Sequence, residues 1–166
     1  MPARAEVPLR RNLPLLLLRS REAVMGRFRG ILHRHGVTEQ QWRVLRALLE
    51  QSPLEPRQIC ERCQLLSASA AGVLARMEEL GLVQRERMAS DQRRVLVSIT
   101  PKSRALARRI APLAEAEYAQ IERLVGAPLL TQVYDTLDAL LLRLGEPTMA
   151  EAEAKDGRSR TARRAT

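Results

Sequence analysis

The chain has 166 residues, 45% hydrophobic and 28% charged, with 28 Lys+Arg against 19 Asp+Glu and a formal charge of +9. This supports one domain with a real core, excludes a wholly disordered chain, and asks for a polyanionic partner. Twenty-six of the bases are Arg and only Phe28, Trp42, Tyr118 and Tyr134 are aromatic, which excludes the stacking platforms of RNA-recognition sheets and OB barrels and favours phosphates and grooves of a duplex.

Asn12 followed by Pro14 starts a first helix, expected to run to about His35 with Gly36 as its left-handed stop. Leu13, Leu17, Val24, Phe28 and Ile31 recur at helical spacing along it. Leu15–Leu18 is an apolar run of only four residues, so neither a membrane span nor a signal peptide is expected, and the location is read as cytoplasmic. Thr38 and Gln41 form a capping box for a second helix striped by Trp42, Leu45, Leu48 and Leu49 and ended at Ser52-Pro53. A short helix over about Pro56 to Cys63, a turn at Gln64-Leu65-Leu66, and a helix from Ala68 to Leu80 N-capped by Ser67 make a helix-turn-helix. In that last helix Val73, Leu74, Met77 and Leu80 are expected inward, with Gly81 as the stop.

The period then changes to two. Leu82–Arg87 and Val95–Ile99 read as strands joined by a polar loop, Met88–Arg94. Thr100-Pro101 opens a long helix to about Val125, with Pro112 expected to kink it. Gly126-Ala127-Pro128 separates a last helix marked by Leu129, Val133, Leu137, Leu140, Leu141 and Leu144. The fold class is mainly α with a small β-hairpin wing: a winged helix-turn-helix over about 38–100, with helical regions at about 12–35 and 101–145. The arm 1–11 and the tail 146–166, which carries Arg158, Arg160, Arg163 and Arg164, are expected to be disordered. Charge follows this division. Residues 10–109 hold 20 bases and 9 acids, whereas residues 110–145 hold 2 bases and 5 acids.

The stretch Leu66 to Thr100 contains L-S-x-S, then L-x-R-M-E-x-L-G-L-V, then D-x-R-R-x-L-V-S-I-T. With Asp91, Arg93, Ile99 and Thr100 at the wing and Gly81-Leu82-Val83 before it, the chain resembles the MarR family of bacterial transcriptional regulators over about residues 10–145. Arg19-Ser20-Arg21-Glu22, Val24-Met25 and Thr38 through Leu48 look like its subgroup regulating homoprotocatechuate and related aromatic-acid catabolism. The resemblance implies a homodimer on a pseudo-palindromic double-stranded operator, with half-sites about 10 bp apart. Residues 10–32 and 104–145 carry more apolar residues than a winged helix needs, and they would form the intertwined dimer interface.

A recognition helix meets the major groove with its N-terminal residues. Ser67, Ser69 and Ala70 are small there, the serines can bond a base or phosphate, and Arg76 lies two turns on. Capping alone is the other reading of Ser67, and a solvated or ion-paired role the other reading of Arg76. At the wing, Arg93 and Arg94 suit a narrow minor groove, with Asp91 expected to orient an arginine in a bidentate pair; a solvated charged turn is the alternative. The resemblance sends the wing arginine into the minor groove.

In the resembled family a small, often phenolic, acid binds between the dimer helices and the reader and releases DNA. An aromatic carboxylate needs an arginine and apolar walls. The candidates are Arg21, Met25 and Phe28 on the first helix, Trp42 and Arg46 on the second, and Ser20 and His35 for a ring hydroxyl or nitrogen. Met25, Phe28 and Trp42 equally suit a core, and His33 and His35 suit a helix C-terminus. Cys60-x-x-Cys63 lacks a second pair and a nearby His, which argues against zinc, and Cys60 reads as a small apolar residue. No cofactor, metal or catalytic residue is expected. The expected function is a dimeric repressor released by a small aromatic acid. Alternatives are a redox-sensing regulator through Cys60/Cys63, a sequence-tolerant architectural DNA binder, and a thiol oxidoreductase.

Overall fold

A computed structural model describes residues 11–88 and 91–145, with Gln92 described by its backbone alone. The expectations for the arm before residue 11, for Ala89 and Ser90 of the wing loop, and for the tail from residue 146 lie outside the described residues.

Helix α1 (Leu13–Arg34) begins where Asn12 Oδ1 accepts the Leu15 N–H at 3.0 Å, and the chain leaves it at Gly36 with φ 68°. Only Phe28, Ile31 and Leu32 are buried; Leu13, Leu17 and Val24 of the sequence stripe are exposed, as are Leu15, Leu16 and Leu18. Helix α2 (Glu39–Glu50) has its capping box: Gln41 N–H donates to Thr38 Oγ1 at 3.2 Å and Thr38 N–H to Gln41 Oε1 at 2.9 Å. It buries Gln41, Val44, Leu45, Ala47 and Leu48, while Leu49 is exposed and Trp42 half-buried. The stripe from Gln41 through Val44 and Leu45 to Leu48 leaves Leu49 one step, about 100°, off the inward face.

Helix α3 (Pro56–Cys63) follows a turn in which Gln58 Oε1 accepts the Glu55 N–H at 2.8 Å. Gln64 takes the left-handed conformation (φ 49°, ψ 51°). Helix α4 (Ser67–Glu79) has Leu66, not Ser67, at its N-cap, with no side-chain capping bond. Ser67 is already helical, so its hydroxyl does not take the capping role. Strands β1 (Val83–Met88) and β2 (Asp91–Ile99) pair antiparallel, with Arg87 opposite Val95 and Met88 opposite Asp91. Asp91 to Arg94, expected in the loop, therefore belong to β2, and residues 92–94 are its bulge. A bulge breaks the two-residue alternation, which is why the sequence pattern ended β2 too early. Leu54 and Val97 exchange both backbone bonds, at 3.0 and 2.8 Å, adding a one-residue bridge beside the hairpin.

Helices α5 (Pro101–Val125) and α6 (Ala127–Arg143) complete the described chain; α5 is assigned as one helix through Pro112. The chain divides into two compact units, one up to Glu117 and one from Tyr118. In the first, Val44, Leu45 and Leu48 of α2, Leu54, Ile59 of α3, Leu74 and Met77 of α4, Val83, Val97 and Ile110 of α5 are almost wholly buried. Thr100 and Ser103 join the wing base to α5. Thr100 Oγ1 donates to the Gly81 carbonyl at 2.9 Å and accepts the Ser103 N–H at 3.2 Å, and Ser103 Oγ donates to the Leu82 carbonyl at 2.5 Å. In the second unit α6 buries no residue, and Leu129, Val133, Tyr134, Leu137, Leu141 and Leu142 are exposed. No helix among the described residues is long and apolar enough to cross a membrane.

The capping box gives the first prediction. Thr38→Ala is expected to cost about 1 kcal/mol, read as a lower urea midpoint at unchanged slope. An unchanged midpoint would show that the box does not hold α2.

Candidate nucleic-acid interface and effector face

Packing decides which face of α4 is free. Ala70, Leu74 and Met77 point into the core, so Ser67, Ala68, Ser69, Ala71, Gly72 and Arg76 are exposed. Ala70, expected among the groove-facing residues, is 2% exposed and lies on the opposite side. The outward face is small up to Gly72, which permits close approach to a groove. Because the first turn has no side-chain cap, its N–H groups remain open to an anion such as phosphate. Arg76 pairs with Glu79 at 2.8 Å; both side chains are 63% exposed, so the pair holds the guanidinium weakly.

The wing arginines fall into two groups. Arg85 donates to Glu78 Oε2 of α4 at 2.7 Å through Nε and 2.6 Å through Nη2. Arg94, expected to face DNA, donates through Nε and Nη2 to Glu55 Oε1, the Nε contact being 3.0 Å. These hydrogen bonds and the Glu55 charge raise the Arg94 pKa above its ordinary value. Asp91 does not form the expected bidentate pair: its Oδ1 accepts the backbone N–H of Arg93 at 3.0 Å, an Asx turn that shapes the bulge. Arg93 and Arg87 are exposed and have no ion pair among the described residues. Arg87 was missed in the sequence because nothing local separates it from the paired Arg85 two residues earlier. Glu55 was missed because its partner lies 39 residues away.

The expected effector residues sit on α1 and α2. Arg21, Met25 and Phe28 form one stripe of α1, and Trp42 and Arg46 one stripe of α2 beginning at Glu39. The two helices meet where Arg21 pairs with Glu39. Arg21 also bonds Glu22 at 2.8 Å, and Arg29 bonds Glu22 and lies 3.9 Å from Glu39. The Arg29 hydrogen bond, with the Arg29 and Arg21 charges, holds the Glu22 carboxyl below its ordinary pKa. Arg21 is thus engaged by two carboxylates, while Arg46 is exposed without an ion pair among the described residues. Phe28 is buried, Met25 and Trp42 half-buried. Ser20 Oγ donates to the Leu16 carbonyl at 2.9 Å, and His35 Nδ1 lies 2.8 Å from the Ile31 carbonyl. Both polar side chains are therefore turned onto their own helix.

Two half-buried or buried groups lie where α2 meets the end of α3. Arg43 Nη1 donates to the Cys63 carbonyl at 2.6 Å, while its Nε–H is buried without a partner among the described residues. Burial pushes the Cys63 thiol up to about 11, with the Arg43 charge opposing the shift, which disfavours its thiolate. That gives no support to a Cys60/Cys63 redox pair. No group of three or more metal-ligating side chains occurs among the described residues.

A small-faced helix in a helix-turn-helix, flanked by a hairpin with free arginines, defines a winged-helix DNA-binding regulator. The MarR family matches at residues 35–94. The homoprotocatechuate degradative operon repressor of Escherichia coli is 38% identical over 130 residues, covering 78% of this chain and 88% of the relative. The crystal structure of transcriptional regulator PA4135 aligns with a TM-score of 0.75 at 40% identity, covering 79% of this chain and 96% of that one. The crystal structure of NadR in complex with 4-hydroxyphenylacetate aligns with a TM-score of 0.67 at 32% identity, covering 84% and 97%. The chain belongs to the MarR family of transcriptional regulators.

Two measurements follow. Arg93→Ala is expected to weaken binding to every duplex and to shallow the salt dependence of binding by about one unit; an unchanged slope in a salt titration removes Arg93 from the phosphate contacts. For Cys63, a rise to about 11 lowers the thiolate fraction at neutral pH roughly 100-fold from that of an ordinary thiol. Iodoacetamide should therefore label Cys60 well before Cys63 in the native protein, and both at similar rates in urea. Equal native labelling would contradict the burial.

Proposed function

We propose that the protein is a dimeric repressor that holds a pseudo-palindromic operator and is released from it by a small aromatic acid. DNA reading rests on Ser67, Ser69 and Arg76 of α4 and on Arg93 and Arg87 of the wing. Arg94 and Asp91 shape the wing instead of contacting DNA. One regulatory domain over 12–145 combines the reader at about 38–100 with dimer helices at about 12–35 and 101–145. Exposed leucines on α1 and α6 support that division, since solvent is a poor neighbour for so many large apolar side chains.

The observation that carries the effector is the free, exposed Arg46 one helical turn from the half-buried Trp42. A ring packs on an indole, and a carboxylate takes a guanidinium in two hydrogen bonds. Arg21, which meets Glu39 of α2, and Met25 and Phe28 on the same stripe of α1 are the further candidates, with Ser20 elsewhere along α1 and His35 at its C-cap. The relatives support an aromatic acid, since one is named for homoprotocatechuate degradation and another is bound to 4-hydroxyphenylacetate.

The test is a footprint on the protein's own promoter region with and without 4-hydroxyphenylacetate, 3,4-dihydroxyphenylacetate, hydroxybenzoates and hydroxynicotinates. At least one acid should release the footprint. Arg46→Ala should keep the footprint and need roughly 10- to 100-fold more acid to lose it. A footprint insensitive to all these acids would sink the sensor reading and leave the DNA-binding reading standing.

A further inference from the structure

We propose that Arg43 is the positioning residue that sets the recognition helix for operator reading and transmits the state of α2 to it. The transmission half rests on the effector reading above; the positioning half does not.

Cys63 is the last residue of α3, and its carbonyl is one of the groups a helix C-terminus leaves without an intrahelical donor. The Arg43 guanidinium supplies the donor, 2.6 Å away, from 20 residues earlier in the chain. A cation there also meets the negative end of the α3 dipole, so the bond is charge-assisted. Arg43 makes no other hydrogen bond among the described residues, and its Nε–H is buried. The Cys63 carbonyl is therefore the contact that orients it.

Little chain separates that contact from the DNA-reading surface. After Cys63 come Gln64 in the left-handed conformation, buried Leu65, and Leu66 as N-cap of α4. Leu65 N–H is bonded to the Cys60 carbonyl at 3.0 Å, and Ala70 N–H to the Leu66 carbonyl at 2.9 Å. The turn has no slack residue, so a displaced Cys63 carbonyl displaces Ser67 and Ser69. On the other side, Arg43 follows Trp42 and precedes Arg46 by three residues, so any rotation of α2 that those two undergo moves the guanidinium. Arg62, one residue before Cys63, donates to Gln51 at the C-cap of α2 and adds an exposed tie between the two helices. Arg43 is the tie that ends on the backbone of the turn itself, in a part-buried bond.

The experiment compares full-length wild type, Arg43→Met and Arg43→Lys on two duplexes: an operator selected by the wild type from a random pool, and a scrambled duplex of equal composition. Arg43→Met should lower the operator-to-scrambled affinity ratio about tenfold or more at unchanged salt slope, and Arg43→Lys should recover part of it. A ratio within about twofold of wild type, whatever the melting temperature does, overturns the proposal. A salt slope shallower by about one unit would make Arg43 a phosphate contact and overturns it equally. Arg43→Gln gives the same comparison should the Met variant not fold. For transmission, 4-hydroxyphenylacetate followed by Trp42 fluorescence should bind the Met variant as it binds wild type, yet change its operator affinity by less than about twofold. Full release of the Met variant overturns transmission. Absence of release or binding in the wild type defeats the effector reading instead, and the affinity ratio still decides the positioning.

Discussion

The inward stripe of α4 governs what this molecule can present to DNA. Ala70, Leu74 and Met77 lie three or four residues apart and are sealed in the core with α2, α3 and the strands. Burying a Leu or Met side chain is worth about 1.5–3 kcal/mol, whereas the exposed Arg76–Glu79 pair is worth about 0–1 kcal/mol. Packing therefore fixes the rotation of the helix about its axis, and the ion pair adjusts only one side chain on it. Rotation by one residue, about 100°, would expose the core stripe and bury serines. The outward face of small residues is the complement of the core, and the absence of a side-chain cap at Leu66 leaves the helix end open in the same direction.

Electrostatics then divides the arginines by task. A chain with 26 Arg could be read as uniformly adhesive to polyanions, but many of the guanidiniums in the reader are already held. Arg85 ties β1 to α4 through Glu78, and Arg94 ties the bulge of β2 to Glu55 at the start of α3. With the Leu54–Val97 bridge, these pairs link the hairpin to its neighbours. Arg87 and Arg93 remain exposed beside them. An arginine always carries its charge, so the raised pKa of Arg94 changes no protonation near neutrality; its pairing matters as geometry.

Most of the element order was legible, because its signals are local. The Thr38/Gln41 box, Asn12 at the α1 start and Gly36, Gly81 and Gly126 at breaks all act within three or four residues. What the sequence hid was long-range or geometric. Ser67 satisfies the composition of an N-cap, yet the helix starts one residue earlier. Nothing in a linear pattern marks a three-residue bulge as part of a strand, so Asp91–Arg94 read as a loop. Arg94 is expected at the groove from its place at a turn, and its ion pair with Glu55, 39 residues away, has no mark in the linear pattern. The α1 stripe was read correctly as apolar but not as half-covered: Phe28 and Ile31 are buried, whereas Leu13, Leu17 and Val24 are exposed. A hydrophobic pattern reports that a face must be covered, and not by which chain.

The recognition helix is held at both ends by cations on carbonyl groups, and both cations come from flanking helices. Lys102 of α5 donates to the Leu80 carbonyl at the C-cap of α4, 2.6 Å away, while Arg43 of α2 holds the last carbonyl of α3 just before α4 begins. The Thr100–Ser103 hydroxyls add a second tie from α5, to Gly81 and Leu82 at the wing base. The Arg43, Thr100 and Ser103 bonds are part-buried or buried, so breaking them leaves polar groups short of a partner, whereas the Lys102 bond is open to water. These bonds tie the reader to α2 at one end and to α5 at the other, beside the apolar core that the same helices share.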